Sequence, residues 1–285
     1  MKDLADKKAR QLATLLENRF GDTFAPIKDT EPAQLDQLIS MAQHSSARRF
    51  SSQEVGPELL QTLLGCAMSA PSKSDLQQAD IIHVTDTELR AQIVANIPDM
   101  PWINKAPVFL VFCGNNRRAR LLGAWRNKPF ANEHLDHFMN AAVDAGIMMT
   151  NFIRAAESVG LSTCPISGIR NAIVQNSALL GLPEGVFPLA GLCLGYPLQA
   201  GQITARLPLT ATVHKNRYSE DSLKTHIDAY DHRRHQMQPY RQQRNPEQFG
   251  EVEFYGWSED KARQYAVPER TDFGQFIRNH GFSLK

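Results

Sequence analysis

The segment His44-Ser45-Ser46-Ala47-Arg48-Arg49-Phe50 crowds hydroxyls and guanidiniums into a short stretch of chain. Forked N–H donors beside hydroxyls suit a phosphate, whose oxygens accept several bonds at once. The same residues also suit a helix cap with surface arginines. Ser69-Ala70-Pro71-Ser72-Lys73-Ser74-Asp75-Leu76-Gln77 is small and polar, able to hydrogen-bond the edge of a planar heterocycle or to form an ordinary loop. A third run extends from Ala155-Ala156-Glu157-Ser158-Val159-Gly160-Leu161 through Ser162-Thr163-Cys164-Pro165-Ile166 to Ser167-Gly168-Ile169-Arg170-Asn171. The fourth is Gly191-Leu192-Cys193-Leu194-Gly195-Tyr196-Pro197, followed by Ala205-Arg206-Leu207-Pro208-Leu209.

Other chemistries find less support. His134 and His137 share a helix face, but without HExxH they are expected on a solvated surface. Asp231-His232-Arg233-Arg234-His235 lacks the interleaved aromatics of a nucleic-acid site and is expected to be a solvated arm. GxSxG, Walker A and GxGxxG are absent, which removes the usual signatures of serine hydrolases, P-loop enzymes and Rossmann dinucleotide folds. Cys66, Cys113, Cys164 and Cys193 form no metal or CxxC pattern, so no metal site is expected. The last three lie in apolar runs, as small buried hydrophobes do. Free thiols and a charged N-terminus, MKDLADKKARQ, point to a reduced, cytoplasmic protein. The net charge of +1 argues against nucleic-acid partners. The most apolar long stretch, 139–159, carries Asp144, Asn151, Arg154 and Glu157 and is a poor membrane span.

Periodicity supplies the elements that must position these segments. Leu4, Leu12, Leu15, Leu16 and Phe20 predict one helix ending at Gly21-Asp22; Leu35, Leu38 and Ile39 predict a second, opening at Thr30-Glu31-Pro32. Helices are expected over 57–69 and from Asp86 to about Ala95, and strands at Ile81–Val84 and Leu161–Ile166. The continuous run Pro107–Cys113 predicts a strand buried on both faces. A long helix from about Met139 to Val159, capped by Gly160, is apolar on nearly every side and is expected to lie buried centrally or across a subunit interface. A further helix runs to Leu180 and a last strand from Phe187 to Tyr196. Residues 214–256 are polar, a surface arm or a cover, and Phe273, Phe276 and Ile277 are spaced for a closing helix. The class is α+β, a small mixed sheet wrapped by helices.

In order and spacing, the four chemical segments resemble the nitroreductase family of FMN-dependent NAD(P)H oxidoreductases, in the branch of oxygen-insensitive nitroreductases and flavin reductases. The resemblance covers about His44 to Tyr218, returns at Trp257-Ser258 and in the final helix, and implies an intertwined homodimer with FMN sites built from both chains. It makes 1–43 a helical extension and 44–285, arm 214–256 included, the FMN-binding domain. It implies that His44, Ser45 and Ser46 lie at the FMN phosphate and that Arg48 reaches the pyrimidine side. Ser72, Ser74, Asp75 and Gln77 fall in the loop that holds the ribityl chain and ring edge. The backbone of Pro165, Ile166, Ser167 and Gly168 falls near flavin N5, and Arg206 at the phosphate. No catalytic side chain is implied, because the flavin carries the hydride.

The implied activity is ping-pong reduction of nitroaromatics, quinones or flavins by NADPH or NADH. Reductive dehalogenation, flavin breakdown or a low-turnover redox sensor are the alternatives within the fold. An arginine is commonly found at the position of Ser45, a lysine at Thr204, an asparagine at Asp75 and a glycine at Ser167. Arg241 and Arg244 are the candidates for a nucleotide phosphate. The acceptor pocket is implied to draw on 98–106, 116–135 and 219–256.

Overall fold

A computed structural model describes residues 2–283 and 285. In chain order the helices before the first strand are α1 (Lys2–Phe20), α2 (Pro32–Ala42) and α3 (Pro57–Met68). Then come β1 (Ala79–His83), α4 (Thr87–Ala95), β2 (Val108–Asn115), α5 (Arg117–Trp125) and α6 (Leu135–Ser158). They are followed by β3 (Ser162–Ile166), α7 (Ile173–Leu179) and β4 (Val186–Gly195). The remainder is helical: α8 (Leu209–Thr212), α9 (Leu223–Met237), α10 (Pro246–Phe249), α11 (Trp257–Tyr265) and α12 (Phe273–Asn279). No helix among the described residues is long and apolar enough to cross a membrane.

The chain divides into two compact units. One comprises residues up to Ser45 with Gln202–Glu269, so the N-terminal helices and the polar arm fall in the same unit. Ala9 and Leu12 of α1 pack on Leu35, Ile39 and Ala42 of α2. As expected, α2 opens on Pro32, with Glu31 and Gln34 forming a reciprocal cap. Further along, α9 meets α11 through Tyr230 and Trp257, ring centroids 5.3 Å apart.

The second unit comprises Ser46–Gly201 and the stretch from Arg270, and holds the sheet in the order β1-β2-β4-β3. The α+β class is as expected, but all three strand pairings are antiparallel rather than mixed. The connections explain this. Register pairs His83, at the end of β1, with Leu110, near the start of β2, and Ile166, at the end of β3, with Gly191 of β4. The chain leaving β1 through α4 thus re-enters the sheet at the end it left, and so does the chain leaving β3 through α7; a parallel neighbour would need a full crossover.

β2 is buried in all but its last residue because both sheet faces are covered. Leu110 and Phe112 face α3 and α6, meeting Leu63, Met148 and Phe152. Phe109 and Val111 face α4, meeting Ile93 and Ile97. Gly160, at φ +80°, ends α6 as expected. Within one chain that helix is buried on one side only, so it is not the fully enclosed central helix of the first alternative. Ala141, Ala145, Met148, Phe152 and Ala156 are covered, whereas Leu135, Met139, Val143 and Ile147 are exposed. The sheet can shield only the flank it touches.

Candidate functional site

Residues 46–50 run beside the β3 edge. Ala47 N–H donates to the Thr163 carbonyl at 2.9 Å, Phe50 forms a bridge to Pro197, and Ser51 N–H donates to the Tyr196 carbonyl at 2.9 Å. These bonds hold Ser46 and Arg48, both exposed, along the strand that carries Pro165. Burial pushes the Cys164 thiol up, while the Arg48 charge pulls the other way. Alternation sends Cys164 and Ile166 into the core and leaves Pro165 and Ser167 exposed. Ser46 and Arg48 are therefore held beside the strand that leads into Pro165–Gly168, within one unit.

The loop 72–77 is organised by a residue that sequence reasoning passed over. Asp144 is 4% exposed on α6 and accepts from Ser72 Oγ at 2.7 Å, Lys73 N–H at 3.2 Å and Gln78 N–H at 3.3 Å. Ser72 Oγ in turn accepts from Gln77 N–H at 2.8 Å. Around these anchors the backbone curls so tightly that Ser74, Asp75 and Gln77 take φ of 51°, 56° and 51°. Such angles are unfavourable for residues with a Cβ and persist where surrounding bonds impose them. The side chains of Ser74, Asp75 and Gln77 are consequently turned outward. Beside the loop lies a cavity of about 220 Å³, lined by Met68, Ser72, Gln78, Asp144 and Met148 and, among the described residues, by none of 46–48 or 165–168. That cavity therefore belongs to the loop and not to the β3 end. Gln78 is buried with both amide atoms unpartnered.

His44, Ser45 and Arg206 belong to the other unit. His44 and Ser45 are half-buried, and the exposed Arg206 donates from Nη1 to Thr204 Oγ1 at 2.5 Å and to the Ala205 carbonyl at 3.1 Å. Tyr230 Oη also donates to the Ala205 carbonyl, at 3.1 Å. Of the nucleotide-phosphate candidates, Arg244 has its Nε 3.5 Å from Asp260, so part of its charge is engaged; Arg241 is exposed.

Two expectations are corrected. His137 is buried rather than solvated, its ring 4.9 Å from that of Phe130, because the chain before α6 folds over that face. The run 231–235 is structural rather than a free arm. Asp231 is buried and accepts the Ser258 N–H at 2.9 Å, Arg233 donates to the Arg19 carbonyl at 3.0 Å, and the His232 ring stacks on Phe254 at 4.7 Å. Cys113, Cys164 and Cys193 are buried free thiols as expected, and burial with the Asp80 charge pushes Cys113 up to about 12. The overlooked residues left one visible signal: Asp144 is a carboxylate in the middle of an otherwise apolar helix.

Residues 41–196 match the Nitroreductase family, and residues 205–285 match the family's C-terminal domain. The chain is 34% identical over 251 residues to the FMN reductase [NAD(P)H] of Bacillus subtilis (strain 168), covering 87% of this chain and 98% of that protein. It is 33% identical over 242 residues to the NADPH-flavin oxidoreductase of Vibrio harveyi, covering 85% and 96%. Among solved structures, B. megaterium NfrA2 superposes with a TM-score of 0.80 at 30% identity, covering 88% of this chain and 99% of that one.

Proposed function

The chain belongs to the nitroreductase family, and from that premise we propose that it is an FMN-dependent oxidoreductase fed by NADPH or NADH. Its acceptors in this reading are small oxidants: nitroaromatics, quinones or free flavin. The observation that carries it is the bond from Ala47 N–H to the Thr163 carbonyl, which holds the exposed Ser46 and Arg48 beside the strand that leads into Pro165–Gly168.

The residues present fit FMN. Its phosphate and ring carbonyls are acceptors, and the side chains of Ser46, Arg48, Ser74, Gln77 and Arg206 are exposed donors. When bound, FMN would supply the two-electron hydride chemistry that links the nicotinamide to the acceptor. The chain's part is geometry and electrostatics. Arg48 brings positive charge to the pyrimidine edge, where reduction places negative charge. Ile166, Ser167 and Gly168 would meet the N5 side with backbone, so that no reactive side chain competes there. Ser72, held by Asp144, fixes the loop whose Ser74, Asp75 and Gln77 meet the ribityl chain. His44, Ser45, Ser46 and Arg206 take the phosphate.

The exposed apolar stripe on α6 supports a homodimer, which would also join the loop 72–77 of one copy to the β3 end of the other. Four free cysteines support a reducing, cytoplasmic setting. In this reading 44–285 is the FMN-binding domain and 1–43 an addition to it.

The test is the absorption spectrum of the purified protein, followed by anaerobic addition of NADPH or NADH. A flavin spectrum bleached by either nucleotide is expected. Failure to bind FMN supplied in excess would sink the reading; FMN that neither nucleotide bleaches would favour a sensor.

A further inference from the structure

Arg19, in the last turn of α1, is 6% exposed, and a guanidinium so buried must find acceptors. Nε and Nη2 donate to the Ala42 carbonyl at 3.2 and 3.0 Å, and Nη2 also to the His44 carbonyl at 2.7 Å. Nη1 reaches the Thr204 carbonyl at 3.5 Å. The residue's own carbonyl, left open by the helix end, accepts Arg206 N–H at 2.7 Å and Arg233 Nη1 at 3.0 Å. One residue thus fastens both the stretch entering Ser45 and the stretch 204–206, all within a single unit. Gly21 makes room for this: at φ +77°, a Cβ there would lie 2.8 Å from Arg233 Nε.

The orientation of these bonds matters. A trans peptide points its C=O and N–H in opposite directions, and the chain has no cis bonds among the described residues. Carbonyls of His44 and Thr204 aimed at Arg19 therefore turn the following amides, Ser45 N–H and Ala205 N–H, away from it. Neither Ser45 nor Thr204 carries charge, so an anion meeting these segments must be held by hydroxyls, oriented amides and Arg206.

We propose that Arg19 is a positioning residue for the cofactor phosphate, fixing the Ser45 and Thr204–Arg206 segments with their amides turned outward to meet it. The inference rests on the FMN reading above. The device comes from outside the region matched to the family, which begins at residue 41.

The test compares FMN with riboflavin, which lacks the phosphate, on the full-length protein. Dissociation constants for both are measured by flavin fluorescence in the native protein, Arg19→Met, Arg19→Lys and Arg206→Ala. Arg19→Met is expected to weaken FMN about tenfold, equivalent to ~1.4 kcal/mol, with riboflavin changed by less than about twofold. Arg19→Lys keeps the charge without the planar fork and should recover part of the loss. An unchanged FMN-to-riboflavin ratio in Arg19→Met, or a proportional loss of both ligands, overturns the proposal. Should Arg19→Met fail to fold, Arg19→Lys decides alone: a raised FMN-to-riboflavin ratio of dissociation constants supports the proposal, and a native ratio overturns it. A native protein that binds no FMN removes the FMN reading and this inference with it. A native preference for FMN that falls in Arg206→Ala but not in the Arg19 variants removes the inference alone.

Discussion

A carboxylate buried in an apolar helix must be satisfied, and Asp144 is satisfied entirely by the loop it organises. Replacing it with alanine leaves the Lys73 and Gln78 amides and the Ser72 hydroxyl without an acceptor. Asp144→Ala should therefore cost about 2–4 kcal/mol of stability and loosen FMN binding; denaturant titration and FMN titration measure the two. Native-like values in both would show that the loop holds its curl without the carboxylate. His137 makes a second prediction. Burial, then the Arg120 charge, lowers its pKa from 6.5 to about 4, so the folded state keeps it neutral. The unfolded chain takes up a proton below about 6.5. The stabilising contribution is thus full above that pH and is lost as pH falls toward 4. His137→Phe should keep the contact with Phe130 and make the stability profile flatter between these limits; an equally steep profile would put the acid sensitivity elsewhere.

At the scale of elements, the GLxLGYP run is explained by what crosses it. A Cβ on Gly191 would lie 2.9 Å from the Phe109 ring and 3.3 Å from Ile166, and one on Gly195 would lie 2.8 Å from Pro107. The glycines let β4 sit between β2 and β3 with large residues on its flanks. Gly191→Ala is expected to cost roughly 1–3 kcal/mol through overpacking, seen as a lower midpoint in thermal or denaturant unfolding. Because Ile166 is one of the atoms met, the same change should reach the β3 end and weaken FMN binding. Weakened stability with unaltered FMN affinity would separate the two.

At the scale of the molecule, α6 presents Leu135, Met139, Val143 and Ile147 at four-residue spacing, with exposures of 51, 57, 47 and 38%. A contiguous exposed apolar stripe along a helix marks an association surface. If two copies meet there, Val143→Glu should halve the mass measured by light scattering and release FMN, because loop 72–77 and the β3 end would no longer come together. A variant that stays dimeric, or a monomer that retains FMN, would place the interface or the cofactor differently.

The strands and the helices of the apolar-patterned segments were legible in the sequence, since periodicity of apolar residues and local caps such as Glu31-Pro32, Asp86 and Gly160 are short-range properties, whereas α9, in the polar run 214–256, carries too few apolar residues to show one. So were the chemical segments, whose residue types announce donors for an anion. Strand direction was not legible, because it depends on where a connection re-enters the sheet. Nor was the burial of His137 and Asp231, which other parts of the chain cover. Asp144 and Arg19 were hidden for a related reason: each acts on residues distant in sequence, Ser72 and Thr204 among them. Residue type fixes what a group can donate or accept. Which partner it meets, and so whether a lone carboxylate or guanidinium holds a site in place, is decided only when the chain folds.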